Sequence, residues 1–468
     1  MRAWNNPRGI ATTRRVMILL TTILVFGGRG QGQDTHYWNL FYGTQATLLG
    51  GTVIGSASDL SATYYNPGML AVNREQGLLL GANVYQVQRY TVEQPSRAAT
   101  KDTWFGPAPG LIAGRVPVDS AVLGGVAYSF LTRQYMRTDI QSRFVGSLDV
   151  IGNDGVPEQF SSELVLGAKL SDTWLGVSLF RLVHPKVGIG LTNYLAIRSQ
   201  TIRSDVMGQA LSDGTLTTAE RVLNVDYYNV RFLWKFGVGV NLDPLTFGLT
   251  VTTPSLNLFG TGSAFADYSG NYSGSPTDTT RKDILVSSYQ EDVSSRYKTS
   301  WAVGAGLGYR FGKARIHFSV EWYAPVALFS VLQTSPFTGQ SDGKQYKAQI
   351  TQEMKSVINA GLGFEYSVSP SLGLFGSVVT DFSGVPEGTI SNLALTTWDL
   401  LHLSAGAVIS FSALDLTAGV SFAGGTQSLS DIPWARDVSA LGKVLGTRPE
   451  GTIHYLSATG LLAFTFKL

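Results

Sequence analysis

Four cations, Arg198, Arg231, Lys235 and Arg310, stand in segments where large apolar residues alternate with small or polar ones, and each falls on the small or polar side. A row of cations on one face of a sheet can draw an anionic group such as a carboxylate. Acids of the same chain, Glu365 and Asp59 among them, can equally neutralise it, because buried charge left unpaired is costly. Other chemistry finds little support. Cysteine is absent, which removes disulfides, thiol-ligated metals and lipid attachment through a thiol. The five histidines, His36, His184, His317, His402 and His454, show no serine–carboxylate arrangement that spacing alone reveals. No catalytic residue, metal ligand or cofactor is expected, and the chain does not read as an enzyme.

The elements that position those cations are long strands. In residues 225–242, Tyr228, Val230, Phe232, Trp234, Phe236, Val238 and Val240 share one face. Asn229, Arg231, Leu233, Lys235, Gly237, Gly239 and Asn241 share the other. Strands of soluble proteins average about five or six residues, and this alternation exceeds twelve. The same pattern recurs over 186–200, 300–311 and 358–368, with Gly188, Gly190, Gly304, Gly306, Gly308, Gly361 and Gly363 on the small side. The chain ends on Leu462, Phe464, Phe466 and Leu468, one face of a last strand.

Composition points the same way. Charged residues make up 15% of the chain, against about 25% for a soluble domain. Glycine is abundant, and no run after the N-terminus approaches the ~18 apolar residues of a spanning helix. The N-terminus carries Arg2, Arg8, Arg14 and Arg15, then an apolar run from Val16 to Phe26, then small residues. That is the build of a signal peptide ending near Gly30 or Gly32; as a membrane anchor the run is too short. Removal of residues 1–32 takes away five arginines and moves the net charge from +2 to −3, which speaks against nucleic acid as a partner. A secreted chain with these features has one membrane solution, a transmembrane antiparallel β-barrel.

Short turns are expected near Pro117–Ser120, His184–Lys186, Asn241–Pro244, Gly312–Lys313, Ser369–Ser371 and Ser412–Leu414. Longer polar loops are expected over 91–106, 135–170, 203–222, 259–297, 325–353, 382–397 and 424–451. Together they imply about 14 strands beginning near Gly77, with both chain ends on the short-turn side. A short helix over 217–224 can interrupt one loop, and loops 203–222 and 259–297 are candidates for a first contact with a solute.

About 44 residues then lie between the signal peptide and the first strand. They include LLGGTVIGSASDLSATYYNPGMLAV, residues 48–72. This stretch resembles the N-terminal signature of the FadL/TodX family of outer-membrane transporters for hydrophobic compounds. In that family a Gly-rich segment and an acid precede a Tyr/Phe-Asn-Pro-Ala-Gly-Leu stretch, and Asp59, Tyr65, Asn66, Pro67 and Leu70 stand at matching positions. Gly68 and Met69 depart from it. Pro67 fixes its own φ and holds Asn66 extended, and Gly68 permits φ > 0.

The resemblance implies an N-terminal hatch, or plug, inside the lumen. The expected organisation is 1–32 signal peptide, 33–76 hatch and 77–468 barrel. The hatch and gating residues are Asp59, Tyr65, Asn66, Pro67 and Gly68; alternatively Asn66-Pro67 only leads into the first strand. Tyr37, Trp38, Leu40, Phe41 and Tyr42 either line a lumenal pocket or simply pack the plug to the wall. The resemblance also implies sideways release through a kinked strand. Pro107 and Pro109 in the second strand and Gly124 and Gly125 in the third are candidates, unless both prolines lie in the loop. The implied function is passive uptake of hydrophobic small molecules, long-chain fatty acids first, by a monomer among outer-membrane lipid and lipopolysaccharide in a Gram-negative-type envelope. A general diffusion porin, or a barrel serving adhesion or structure, is the alternative.

Overall fold

The computed structural model describes residues 35–73, 77–93, 99–116, 124–149, 155–271, 283–386, 393, 397–428 and 451–467. The signal peptide, the turn near Pro117–Ser120 and Leu468 lie outside them. The first half of the sheet is β1 (Gly77–Glu93), β2 (Thr100–Val116), β3 (Gly125–Leu148), β4 (Glu158–His184), β5 (Val187–Ser212), β6 (Thr215–Asn241), β7 (Leu245–Thr252), β8 (Leu256–Asn271) and β9 (Ile284–Ser294). There follow β10 (Ala302–Phe311), β11 (Ala314–Tyr323), β12 (Val326–Leu332), β13 (Phe337–Thr338), β14 (Gln345–Tyr346) and β15 (Ile350–Met354). The last five are β16 (Val357–Ser369), β17 (Leu372–Asp381), β18 (Leu400–Ser410), β19 (Leu414–Ser428) and β20 (Thr452–Lys467).

Fourteen of these strands close into an antiparallel barrel. The order runs β5-β4-β3-β2-β1-β20-β19-β18-β17-β16-β11-β10-β7-β6, and β6 returns to β5. The strand phase is the one the alternation sets. Phe236, Leu249, Leu362 and Phe364 are exposed on the outside, while Leu233 and Ser319 are buried within. Turns at one end are tight: Gly312 takes φ +59 in the two-residue link between β10 and β11, a conformation glycine reaches without strain.

At the other end the expected loops 91–106, 135–170, 203–222 and 259–297 are largely strand among the described residues, and most of 382–397 and 424–451 lies outside those residues. β4 and β6 each run for 27 residues, and β5 joins β6 through Asp213 and Gly214 alone. A bilayer needs only about 9–11 residues per strand, so these hairpins rise far above the barrel. Residues 217–224 belong to β6 rather than to a helix, each paired across from β5. Their polar composition reflects a solvated outer face with Arg203, Asp205 and Glu220, not a loop. β8 and β9 widen this projecting sheet from the upper half of β6. Side-chain amides meet its edge: Gln340 donates to the Ser287 carbonyl and accepts from the Ser287 N–H, both at 2.8 Å.

Residues 35–73 lie against the inward faces of the strands and contain one-turn helices at Gln45–Leu48, Ala62–Tyr65 and Met69–Val72. Contacts reach strands around the circumference. Tyr194 of β5 donates to the Thr63 carbonyl at 2.7 Å, and Ser377 of β17 donates to the Leu48 carbonyl at 3.1 Å. The Ile54 N–H donates to Ser319 of β11 at 3.1 Å, and Arg115 of β2 donates to the carbonyls of Leu70 and Asn73.

Candidate functional site

The Asn66-Pro67 turn is held by its asparagine. Asn66 Nδ2 donates to the carbonyls of Ile54 (2.8 Å) and Val238 (2.9 Å), while Oδ1 accepts from the Gly68 N–H (2.9 Å). One side chain thereby joins two parts of the N-terminal segment to β6. Asn66 is extended, at φ −160, as the following proline requires. Gly68 differs from expectation: its φ is −66, so left-handed freedom is not why a glycine stands there. Space is the reason, since a Cβ would sit 2.7 Å from the Gly237 carbonyl. Asp59 bonds within the segment, accepting from the N–H and hydroxyl of Thr44 at 2.9 Å each and from those of Ser61. It neutralises none of the four cations. Tyr65 accepts the Tyr42 N–H at 2.9 Å, and Tyr42 donates to the Thr132 carbonyl at 2.5 Å.

Tyr64, two residues before this turn, lines a cavity of about 70 Å³. Its wall includes Tyr37, Tyr64, Trp174, Tyr297 and Tyr323, with Arg133, Lys235, Asp172 and Glu321 between the rings. Tyr37 stacks on Tyr323 with centroids 3.8 Å apart, and its hydroxyl lies 2.9 Å from Ser300 Oγ. Burial pushes the Tyr37 and Tyr64 hydroxyls up to about 12, so both rings are neutral phenols near pH 7. Trp38 and Phe41 line a smaller cavity, which shares Tyr37, Tyr64, Lys235 and Glu321 with this one. Tyr42 packs between Tyr64 and Tyr65 instead.

Three of the four cations enter the lumen, and acids other than those expected meet them. Arg231 makes a two-pronged bond to Asp172, 2.7 Å to each oxygen, and Arg198 lies 3.5 Å from the same carboxylate. Both guanidinium groups face the Tyr297 ring, at 4.9 and 4.0 Å. Lys235 lies 3.7 Å from Glu321, which also accepts from Trp38 Nε1 at 2.9 Å and from the Tyr323 hydroxyl at 2.5 Å. Arg310 does not join them. It continues the inward phase past the end of the barrel and pairs with Asp243 on the exposed rim at 2.5 Å.

Arg133 escaped the sequence reading because of a bulge. The β3–β4 register shifts between Thr132 and Gln134, so Arg133 is an extra residue, and it and Gln134 both reach the cavity. Arg133 is buried, over the rings of Tyr64 at 5.7 Å and Trp174 at 5.9 Å. Among the described residues it makes no ion pair, and its Nη1 has no hydrogen-bond partner. Glu365, expected to meet one of those four cations, instead stands opposite Arg315 and lies 3.3 Å from His317 Nε2, while His317 Nδ1 lies 2.7 Å from Ser56 Oγ. Serine, histidine and carboxylate thus meet in space but not in sequence. The ring nitrogens are used in the order opposite to a hydrolase triad, and Ser56 is buried, so the trio ties the N-terminal segment to the wall.

The pairing of the wall is interrupted beside Arg133. β2 pairs with β3 only from Val116↔Val126 to Leu111↔Leu131, whereas β3 follows β4 as far as Leu148↔Glu158. Pro107 and Pro109 lie in β2 beyond the last pair, where the β1–β2 register also shifts. Gly124 and Gly125 lie at the opposite end, beside intact pairing, with Gly125 across from Phe180. They take no part in this interruption.

No protein-family model and no curated protein matches the chain. Solved structures do. A TodX deltaS2S3 mutant, described as a monoaromatic hydrocarbon channel, covers 92% of this chain with 99% of its own at TM-score 0.63 and 12% identity. A Pseudomonas aeruginosa FadL homologue covers 94% with 100% of its own at TM-score 0.59 and 13% identity. The P. putida toluene transporter TodX covers 92% with 99% at TM-score 0.55 and 12% identity. The fold is the one FadL and TodX share. Their likeness to this chain extends over more than nine-tenths of its length.

Proposed function

We propose that this chain is a passive outer-membrane channel for hydrophobic compounds, and that residues 33–76 form its hatch. One observation carries the reading. The barrel has an apolar outer belt, and its lumen is occupied by a folded N-terminal segment that leaves small cavities among the described residues, one of them aromatic-walled. A general diffusion porin keeps a wide aqueous lumen, which this arrangement does not provide. At about 70 Å³ the cavity is smaller than the roughly 150 Å³ that holds benzene in an engineered protein, so passage requires the hatch to shift. Long-chain fatty acids are the substrate class the sequence motif implies. The names of the structural neighbours add ring hydrocarbons to the candidates.

Release sideways through the interrupted β2–β3 wall fits the same reading, because cavity residues Arg133 and Gln134 stand where the pairing ends. Uptake of labelled oleate and of toluene, by cells lacking their own transporter, tests the whole. The native chain should import at least one of them. Asn66→Ala with Pro67→Ala should reduce uptake at equal surface level, and Pro107→Val with Pro109→Val should reduce it by restoring strand pairing. Steady nanosiemens-scale conductance in planar bilayers would favour a porin instead.

A further inference from the structure

The cavity beside the β2–β3 interruption carries more positive charge than its own acids neutralise. Lys235 is matched by Glu321, and Asp172 is shared by Arg198 and Arg231. Arg133 makes no ion pair among the described residues, and Glu321, already paired with Lys235, acts on it only from across the cavity, although Arg133 is buried. The neutral phenols do not offset it. A guanidinium desolvated in this way is only partly compensated by ring faces, which offer a weak quadrupole rather than an opposite charge. A carboxylate offered to it gains two parallel hydrogen bonds and removes the uncompensated charge.

The rest of the wall selects what carries that carboxylate. Arg133 lies over Tyr64 and Trp174, and across the cavity Tyr37 and Tyr323 already form a face-to-face ring pair at 3.8 Å and 9°. Tyr37 belongs to the N-terminal segment and Tyr323 to the wall. A flat ligand ring can take the place of Tyr37 on Tyr323, which both makes room and displaces the segment. We infer that the cavity binds small aromatic carboxylates, the ring stacked on Tyr323 and the carboxylate held by Arg133. This rests on the channel reading and deepens it: the same lumen that passes hydrophobic compounds would prefer those carrying both a ring and a negative charge.

The test is calorimetric titration of the purified full chain in lipid nanodiscs with three probes. Phenylacetate has ring and charge, phenylacetamide has the ring without charge, and hexanoate has the charge without a ring. Phenylacetate should bind at least tenfold more tightly than either of the others. Arg133→Gln should abolish its advantage over phenylacetamide, and Arg133→Lys should keep most of it. Equal affinities on the native chain, persistence of the preference in Arg133→Gln, or no phenylacetate binding would each overturn the inference. The native comparison decides even if Arg133→Gln does not fold. Because the titration needs no transport, its failure beside normal oleate or toluene uptake refutes the carboxylate site and leaves the channel standing. Phenylacetate binding without uptake of any compound would do the reverse.

Discussion

Along β5, β6, β7 and β10 the N-terminal segment lies with its backbone directly on the wall, whereas on β18 and β19 the Leu48 side chain meets Gly406 and Gly419, and a small cavity parts the segment from stretches of β18, β19, β20 and β1. On the first side, Cβ atoms at Gly190, Gly237, Gly248 and Gly306 would collide with Pro67, Asn66, Ile54 and Gly55. On the second, Gln86, Ser421, Ser457 and Thr459 border a cavity of about 30 Å³ against Asn39, Phe41 and Thr47. Both sides hold satisfied and unsatisfied polar groups; on the glycine side Thr250 Oγ1 of β7 is buried without a hydrogen-bond partner among the described residues. Thr192 and Tyr194 both donate to the Thr63 carbonyl. Gln86 Oε1, Thr417 Oγ1 and Thr465 Oγ1 are buried without a hydrogen-bond partner among the described residues. The segment's backbone thus sits closest to the wall on the glycine side.

The largest expected effect lies above the glycine side. Asp172→Ala removes the carboxylate shared by Arg198 and Arg231 and leaves two buried guanidinium groups uncompensated, at a cost of about 3–5 kcal/mol. Denaturant unfolding in detergent, followed by the mobility shift between folded and heated barrel, reads this directly. A loss below about 1 kcal/mol would mean that the lumen is far more hydrated than the burial of these side chains implies.

The next effect sets the two walls against each other. Asn66→Ala leaves the Ile54 and Val238 carbonyls without their donor and should cost about 2–3 kcal/mol. Gln86→Leu on the opposite wall gives up one bond, to Ser457, and also removes an oxygen that is already unpartnered. It should cost less than about 1 kcal/mol. Equal losses in the same unfolding assay would erase the distinction between the walls.

What the residues disclosed in advance follows from how local each signal is. The phase of β6 needs only its neighbours in the chain, so Arg231 and Lys235 could be placed in the lumen and Phe236 and Val238 outside it. Their partners could not be named, because Asp172 meets Arg198 only through the β4–β5 register, where the two stand opposite each other. Arg133 was hidden for a different reason: a one-residue bulge interrupts the regular alternation on which strand reading depends. The projecting halves of β4, β5 and β6 looked like loops because water, not lipid, wets their outer face, and Arg203, Asp205 and Gln209 follow from that. Gly68 was recognised as necessary but for the wrong property; its tight fit against Gly237 depends on a residue 169 positions away.

The finest test uses one substitution on both walls. Thr192→Val, on the glycine side, removes a hydroxyl that donates to the Thr63 carbonyl at 2.9 Å and lies 2.8 Å from Ser178 Oγ. With those partners left behind, it should destabilise by about 1 kcal/mol. Thr417→Val, on the polar side, removes a buried hydroxyl that has no partner among the described residues. A methyl of the same shape removes a desolvation cost there, and stability should rise by up to about 1 kcal/mol. The chemical change is identical and both positions are almost wholly buried, so the sign of the difference isolates polar satisfaction from packing. Two losses of the same size would mean that Thr417 is bonded after all.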